Sequence, residues 1–175
     1  MSQLKDEMIP YIKQDEIAEI VSQLAKEIER DYAGKELVMI GVLKGSLPFM
    51  ADLCRSIKLN QEVDFVQLAS YSHESNESGV RIVKDIGVAI GGKHVLVIEE
   101  IIDEGKTLNF LRNRLLASGP ASLKIVTLLD KPARRAINIK PDYTGRTIED
   151  RFVVGYGMDD GELGRNYPDI YYLRH

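Results

Sequence analysis

The sequence predicts an α/β fold in which a mostly parallel, twisted sheet is flanked by helices on both faces. The main support for this fold class is an alternation of strand-like and helix-like segments. Short apolar runs, which suit strands buried on both faces, alternate along the chain with segments of helical periodicity. The 175 residues contain no internal repeat, low-complexity tract or linker, so we expect residues 1–175 to form a single domain with a full core. Strands that alternate with helices usually pair in parallel, with their helices on both faces of the sheet.

The first half of the chain contains two helix–strand pairs. Apolar residues at helical spacing between Asp15 and Gly34 predict an amphipathic helix: Ile17, Ile20, Val21, Leu24 and Ile28. A continuous apolar run over residues 37–42 suits a strand that is buried on both faces. The segment from Leu47 to about Ile57 predicts a second helix, and residues 63–69 predict a second strand.

The second half begins with residues 70–79, which are small and polar and are expected to form a mobile loop. The elements predicted after it are strands at 80–86 and 94–99, a helix at 107–117, a strand at 123–129, and candidate strands at 152–156 and 170–173. In open sheets of this class, ligands bind beyond the C-terminal ends of the strands. The strand-to-helix loops are therefore the places where chemistry is expected.

Composition and charge narrow the range of functions. The formal net charge of −4 argues against a large nucleic-acid footprint. The single cysteine, Cys54, cannot form an intramolecular disulfide, which fits a reducing compartment. The first seven residues contain no apolar signal core, and no apolar run approaches the length of a membrane span. We therefore expect a cytoplasmic protein that binds neither nucleic acid nor membrane.

A candidate phosphate site follows the clearest buried strand, in residues 99–107. The N-terminus of the next helix presents unpaired N–H groups and a partial positive charge, which suit a phosphate. Gly105 allows the backbone to approach an anion closely, and Lys106 and Thr107 add hydrogen-bond donors. The spacing of these residues is not that of a Walker loop.

Four carboxylates accompany this loop: Glu99, Glu100, Asp103 and Glu104. Paired carboxylates beside a phosphate can hold sugar hydroxyls or a bound Mg²⁺. The alternative is acidic capping of the helix, which Asp and Glu favour in any sequence. Capping explains Asp103 or Glu104, but it does not explain four carboxylates clustered at the end of an apolar strand.

Residues 95–108, Val-Leu-Val-Ile-Glu-Glu-Ile-Ile-Asp-Glu-Gly-Lys-Thr-Leu, resemble the phosphoribosyl pyrophosphate signature of type I phosphoribosyltransferases, and especially of their hypoxanthine-guanine branch. The resemblance extends from about Gln14 to Leu173, with the other family motifs in the expected order. It implies the type I phosphoribosyltransferase fold, in which helices flank a mostly parallel twisted sheet and the termini form a small β-rich hood. It also implies a ribose- and phosphate-binding set: Glu99, Glu100, Glu104, Gly105, Lys106 and Thr107.

Other segments resemble the remaining parts of that site. Leu43-Lys44-Gly45-Ser46 resembles the pyrophosphate loop, which carries a non-proline cis peptide before the lysine, and Arg165 matches the arginine that binds pyrophosphate. Ser70 and Tyr71 match the start of a catalytic lid. Without the family context, these residues would suit an ordinary turn, a surface charge and a solvated hairpin.

The resemblance also implies a purine site. Lys131 would donate to the O6 atom of a 6-oxopurine, Phe152 would stack on the base, and the Val153 backbone would pair with the base edge. Asp159 matches an acidic position near the base and a second Mg²⁺, so the implied metal ligands are Glu99, Glu100 and Asp159. Asp103 would act as general acid/base towards the purine N7 proton.

The implied function is transfer of a phosphoribosyl group to hypoxanthine or guanine, with Mg²⁺ as cofactor and a homodimer or homotetramer as the assembly. The main alternative is a non-catalytic module of the same fold that senses phosphoribosyl pyrophosphate or nucleotides. Two positions depart from the family pattern: Glu100 replaces an aspartate, and Glu104 replaces a threonine or serine. A carboxylate at position 104 is expected to weaken binding of phosphoribosyl pyrophosphate.

Overall fold

The computed structural model describes residues 7–72 and 78–174. Three α-helices cover the sheets: α1 (Gln14–Asp31), α2 (Leu47–Ser56) and α3 (Lys106–Leu116). The strands are β1 (Glu7–Ile12), β2 (Leu37–Leu43), β3 (Gln61–Ser72), β4 (Ser78–Lys84), β5 (His94–Ile102), β6 (Ser122–Asp130), β7 (Tyr143–Thr147), β8 (Val153–Val154) and β9 (Ile170–Arg174). A short 3₁₀ helix, Pro132–Arg134, follows β6.

The main sheet has six strands in the order β4-β3-β2-β5-β6-β7. Every neighbouring pair is parallel except the β3–β4 hairpin, which is antiparallel. Alternate residues of β2 enter two different cores. Leu37 and Met39 pack with α1 and α2, whereas Val38 and Ile40 pack with α3. Helices thus cover both faces of the sheet, which confirms the predicted α/β class.

A second, antiparallel sheet joins the two ends of the chain in the order β1-β9-β8. Its register pairs Glu7 with Arg174 in β1–β9 and Val153 with Tyr172 in β8–β9. This small sheet is the β-rich hood that the sequence predicts. Strands β1 and β7 were not predicted from the sequence, because neither contains a long apolar run.

The predicted loop at 70–79 was wrong at both ends, because Ser70 and Tyr71 belong to β3 and Gly79 belongs to β4. Ser70 pairs with Val80, and Tyr71 pairs with Gly79. An antiparallel hairpin can face water, and its ladder uses backbone groups, so small polar side chains do not prevent it. The remainder of the expected lid, residues 73–77, lies outside the described residues.

The strand predicted to end at Glu99 continues to Ile102, because β6 continues to pair with it at Ile101 and Ile102. The acidic pair Glu99-Glu100 therefore lies within the last part of β5 rather than after it. Within the described part of the chain, none of the helices combines the length and apolarity needed to cross a membrane.

Candidate active site

The site lies at the carboxyl ends of the central parallel strands. β2 and β5 are neighbours, and the chain continues from them towards opposite edges of the sheet, so a crevice is expected between their ends. A cavity of about 690 Å³ opens there, lined by Ser70, Glu99 and residues 101–108 among others. A second cavity of about 470 Å³ is lined by Glu100, Ile101, Asp103, Lys131, Arg134, Asp150, Phe152, Val153, Met158 and Asp159. Asp103 borders both cavities.

The turn before α3 requires a glycine. Gly105 has a φ of +83°, and a Cβ atom there would approach the Ile139 side chain to 2.5 Å. The helix begins at the next residue, Lys106. The N–H of Ala136 donates to the Glu104 carbonyl at 3.0 Å and ties the turn to the segment after the 3₁₀ helix. The N-terminal end of α3 therefore opens into the larger cavity, which Gly105, Lys106 and Thr107 line.

The Glu104 side chain pairs with a lysine of the same loop. Its carboxylate lies 2.7 Å from Lys106 Nζ, and both side chains are more than half exposed. This ion pair holds the pKa of Glu104 below its usual value. The negative charge that the sequence places at the rim of the phosphate site is thus balanced by the lysine expected to bind phosphate.

The acidic pair in β5 is electrostatically strained. Burial, followed by repulsion from Glu100, raises the pKa of Glu99 well above its ordinary value. Burial also raises the pKa of Glu100 to about 7, although Arg165 opposes the rise. Glu100 Oε2 is buried and has no hydrogen-bond partner among the described residues. A buried acceptor of this kind suits a cation or a donor from a ligand.

These carboxylates do not form a complete metal site by themselves. Among residues 7–72 and 78–174, no group of three or more His, Cys, Asp or Glu side chains is arranged to hold a metal ion. Glu100 and Asp159 nevertheless line the same cavity. Mg²⁺ commonly binds one or two carboxylates together with substrate phosphates and waters, and this site fits that pattern.

The loop expected to bind pyrophosphate has the backbone that the resemblance implies, with a cis peptide between Leu43 and Lys44. Gly45 lies against the Glu100 carboxylate, and a Cβ atom at position 45 would collide with it. The Gly45 carbonyl in turn lies against Gly157, where a Cβ atom would also collide. At Gly157 the close contact is with backbone and leaves no room for a side chain, whereas at Gly45 the flexible end of the Glu100 side chain would have to move.

The two cations expected to bind pyrophosphate share one carboxylate. Lys44 Nζ lies 2.7 Å from Glu162 Oε2, and Arg165 Nη2 lies 3.4 Å from Glu162 Oε1. Arg165 also pairs with Asp159 at 2.8 Å and donates to the Gly157 carbonyl at 2.9 Å. Glu162 was not among the residues predicted from the sequence, where it is one acidic residue in a glycine-rich loop.

The smaller cavity combines a buried cation with an exposed ring. Lys131 is only 4% exposed, and burial lowers its pKa. Phe152, predicted as the first residue of a strand, lies just before β8, and 47% of it is exposed. Val153 is buried in β8. An exposed aromatic ring beside a polar cavity suits stacking on a planar ligand.

Asp103 is held by two arginines that were not predicted from the sequence as site residues. Arg134 Nη1 donates to Asp103 Oδ2 at 3.1 Å, and Arg135 Nη1 donates to the Asp103 carbonyl at 2.6 Å. Asp103 Oδ1 is buried without a hydrogen-bond partner among the described residues. Arg134 also pairs with Asp150 at 3.0 Å. The feature of the sequence that could have indicated these contacts is the pair of consecutive arginines, Arg134 and Arg135, shortly after Lys131.

The predicted site residues thus gather around the two cavities and the loop that carries Glu162. Ser70 lines the larger cavity, but the side chain of Tyr71 is not described, so its part in a lid stays a prediction.

Comparison with known proteins agrees with this arrangement. A family model of the phosphoribosyl transferase domain matches residues 11–161. A hypoxanthine-guanine phosphoribosyltransferase of Streptococcus pneumoniae is 46% identical over 164 residues, which are 93% of this chain and 91% of the relative. One from Staphylococcus aureus is 44% identical over 160 residues, covering 91% of this chain and 89% of the relative.

Solved structures give the same result. The crystal structure of a hypoxanthine-guanine phosphoribosyltransferase from Bacillus anthracis matches with a TM-score of 0.90 and 44% sequence identity, and the match covers 99% of this chain and 100% of that chain. The alternative of a non-catalytic sensor is not favoured, because these relatives are named as transferases. The fold, the site geometry and the relatives together establish that the chain belongs to the phosphoribosyltransferase family.

Proposed function

We propose that this phosphoribosyltransferase moves the 5-phosphoribosyl group of phosphoribosyl pyrophosphate to N9 of hypoxanthine, guanine or both. The products are inosine or guanosine monophosphate and pyrophosphate. The observation that carries the proposal is the position of Asp103 between two cavities. The N-terminus of α3 lines one cavity, and the other has a buried lysine beside an exposed aromatic ring.

The larger cavity would hold the ribose 5-phosphate. Backbone N–H groups after Gly105 and the Thr107 hydroxyl would donate to the phosphate, and Lys106 would add charge once it leaves Glu104. Glu99 and Glu100 would accept hydrogen bonds from the ribose hydroxyls. Glu104 contributes only its backbone N–H, because its carboxylate would repel the phosphate.

One or two of the carboxylates Glu99, Glu100 and Asp159 would hold Mg²⁺ together with the substrate. When bound, Mg²⁺ would neutralise charge on the leaving pyrophosphate. The unpartnered Glu100 Oε2 supports this assignment. Lys44, the Gly45 backbone and Arg165 would bind the same leaving group from the protein side.

The smaller cavity would hold the purine. Lys131 would donate to O6 and stabilise negative charge that builds there, and its burial strengthens that interaction. Phe152 would stack on the base, and backbone groups of Val153 would pair with its edge. A 6-amino group offers Lys131 no acceptor, so adenine should be rejected.

Asp103 would accept the proton that the purine loses in the reaction. As the C1–O bond to pyrophosphate breaks and the C1–N9 bond forms, the purine loses one proton, and Asp103 would accept it at N7. Its unpartnered Oδ1 supplies the acceptor, while Arg134 orients the carboxylate through Oδ2. Ser70 and Tyr71 would begin a lid that excludes water.

We also propose that the single domain assembles as a homodimer or homotetramer. Leu47, Val63 and Val83 are 53%, 48% and 51% exposed, and covering such side chains in an assembly would remove apolar surface from water. Light scattering on the purified chain measures the mass directly, and a monomer at micromolar concentration would contradict this part of the proposal.

The transferase activity is tested by incubating the protein with phosphoribosyl pyrophosphate, Mg²⁺ and one base at a time, and by separating the nucleotides formed. Turnover is expected with hypoxanthine or guanine and not with adenine. Asp103→Asn should lose turnover yet still bind the product nucleotide, whereas the surface control Asp85→Asn should keep both. Nucleotide binding without turnover of any 6-oxopurine by the unaltered protein would refute the enzyme and favour a sensor.

A further inference from the structure

We propose that Glu162 is an internal anion that occupies the place of pyrophosphate between Lys44 and Arg165, so that pyrophosphate binds only by displacing it. This inference rests on the proposed function, which assigns both cations to the pyrophosphate group. It makes Glu162 a residue that sets the affinity for phosphoribosyl pyrophosphate and the rate of pyrophosphate release.

The first support is the geometry of the contacts. The two Glu162 carboxylate oxygens are divided between the two cations, with Oε2 at 2.7 Å from Lys44 Nζ and Oε1 at 3.4 Å from Arg165 Nη2. A pyrophosphate group bridging the same two side chains would present its oxygens to the same donors. The carboxylate and the ligand would therefore compete for these contacts.

The second support is the backbone at position 162. Glu162 has a φ of +72°, a left-handed conformation that favours glycine, and the preceding residue is a glycine with a φ of +57°. The turn is closed by backbone hydrogen bonds between Asp160 and Leu163 and by the Glu162 N–H, which donates to Asp159 Oδ2. The turn itself would thus accept glycine more readily, so the side chain contributes something other than the turn.

The third support is that the carboxylate can leave without disturbing its partners. The Lys44 and Glu162 side chains are 54% and 63% exposed, so their pair exchanges easily with water. Arg165 is 25% exposed and stays anchored by Asp159 and the Gly157 carbonyl when Glu162 departs. Pyrophosphate would therefore meet a prepositioned arginine and a lysine that exchanges readily between Glu162 and the ligand.

Displacement predicts a definite effect on affinity. Exposed ion pairs change an equilibrium by about 1.5- to fivefold each, so losing both pairs of the competing carboxylate should tighten pyrophosphate binding by about two- to 25-fold. The Michaelis constant for phosphoribosyl pyrophosphate should fall by a similar factor, while that for hypoxanthine should not change. Slower release of pyrophosphate should make it a stronger product inhibitor.

The test compares Glu162→Gln with the unaltered protein by calorimetric titration of inorganic pyrophosphate in the presence of Mg²⁺. The matched control is Asp160→Asn, which removes one negative charge from the same turn; Asp160 forms no ion pair within the described residues. In a Lys44→Met background the gain from Glu162→Gln should shrink, because one of the contested cations is gone. Thermal denaturation checks each fold, and Glu162→Gly, which suits the backbone, provides a second variant.

Tighter pyrophosphate binding in Glu162→Gln but not in Asp160→Asn supports the proposal. Equal tightening of pyrophosphate binding in Glu162→Gln and Asp160→Asn would show a general effect of charge. Unchanged or weaker binding in Glu162→Gln would show that Glu162 positions Lys44 instead of competing with pyrophosphate. Either result overturns the proposal. Because the readout is pyrophosphate binding, it decides the role of Glu162 even if no purine is turned over, which would refute the proposed function alone.

Discussion

The buried acidic pair in β5 should make the ligand-free protein less stable as the pH rises, which is the reverse of the usual behaviour of carboxylates. Glu100 has a pKa of about 7 in the folded protein, against 4.5 for an unperturbed glutamate. Between these values the folded protein keeps a proton that the unfolded chain releases. Because the folded state then binds more protons, the free energy of unfolding falls with increasing pH.

The size of the effect follows from that difference. At 1.36 kcal/mol per pH unit, a rise from 4.5 to about 7 corresponds to about 3 kcal/mol of stability, fully present below pH 4.5 and lost by about pH 8. Glu99 acts in the same direction, since its pKa is also raised. Glu100→Gln removes one titrating group and the repulsion on Glu99, so its stability should depend much less on pH.

Urea denaturation at pH 5 and pH 8, without ligand or Mg²⁺, measures the difference. The difference between the wild type and Glu100→Gln isolates the pair, because every other titrating group is common to both proteins. Glu62→Gln, an exposed glutamate paired with Lys93, serves as the control and should follow the wild type. Parallel profiles for the wild type and Glu100→Gln would show that burial of the pair does not perturb its ionisation.

Three further variants test the roles proposed for single residues of the site. Gly45→Ala should raise the Michaelis constant for phosphoribosyl pyrophosphate with little change in melting temperature, because its Cβ displaces the movable Glu100 carboxylate; an unchanged constant would contradict the contact. Lys131→Met should lower kcat/KM for hypoxanthine by about 10²-fold, as expected for loss of one donor to developing charge, and steady-state assays that find a smaller loss than tenfold would count against that donor. Glu104→Thr should lower the Michaelis constant for phosphoribosyl pyrophosphate, and identical constants in the two proteins would remove the argument for repulsion.

The alternation of buried strands and amphipathic helices was sufficient to predict the fold class, because burial on both faces leaves a clear apolar pattern in β2, β5 and β6. Strands on the edges were harder to predict. β7 has the sequence Tyr-Thr-Gly-Arg-Thr, and β1 contains a proline, so neither carries that pattern. Their pairing is set by neighbours distant in the chain, which local sequence cannot indicate.

The candidate site likewise contains residues that the sequence predicts and residues that it does not. Gly105, Lys44 and Lys131 were predicted through their motifs, since each lies where a strand meets a loop. Arg134 and Glu162 were not, because their roles arise from side chains that meet across the fold. Arg134 is three residues from Lys131, but Glu162 reaches a lysine 118 positions away. Motifs describe single segments, whereas ion pairs between segments appear only in three dimensions.

The contact between Gly45 and Gly157 has a mechanical consequence. One glycine belongs to the loop that would hold the leaving group, and the other lies close after the strand that would hold the base. Because neither glycine has a side chain between the two backbones, a displacement of one loop would displace the other as well. Binding of the purine and binding of the pyrophosphate would then be coupled, so that dissociation of either ligand weakens binding of the other.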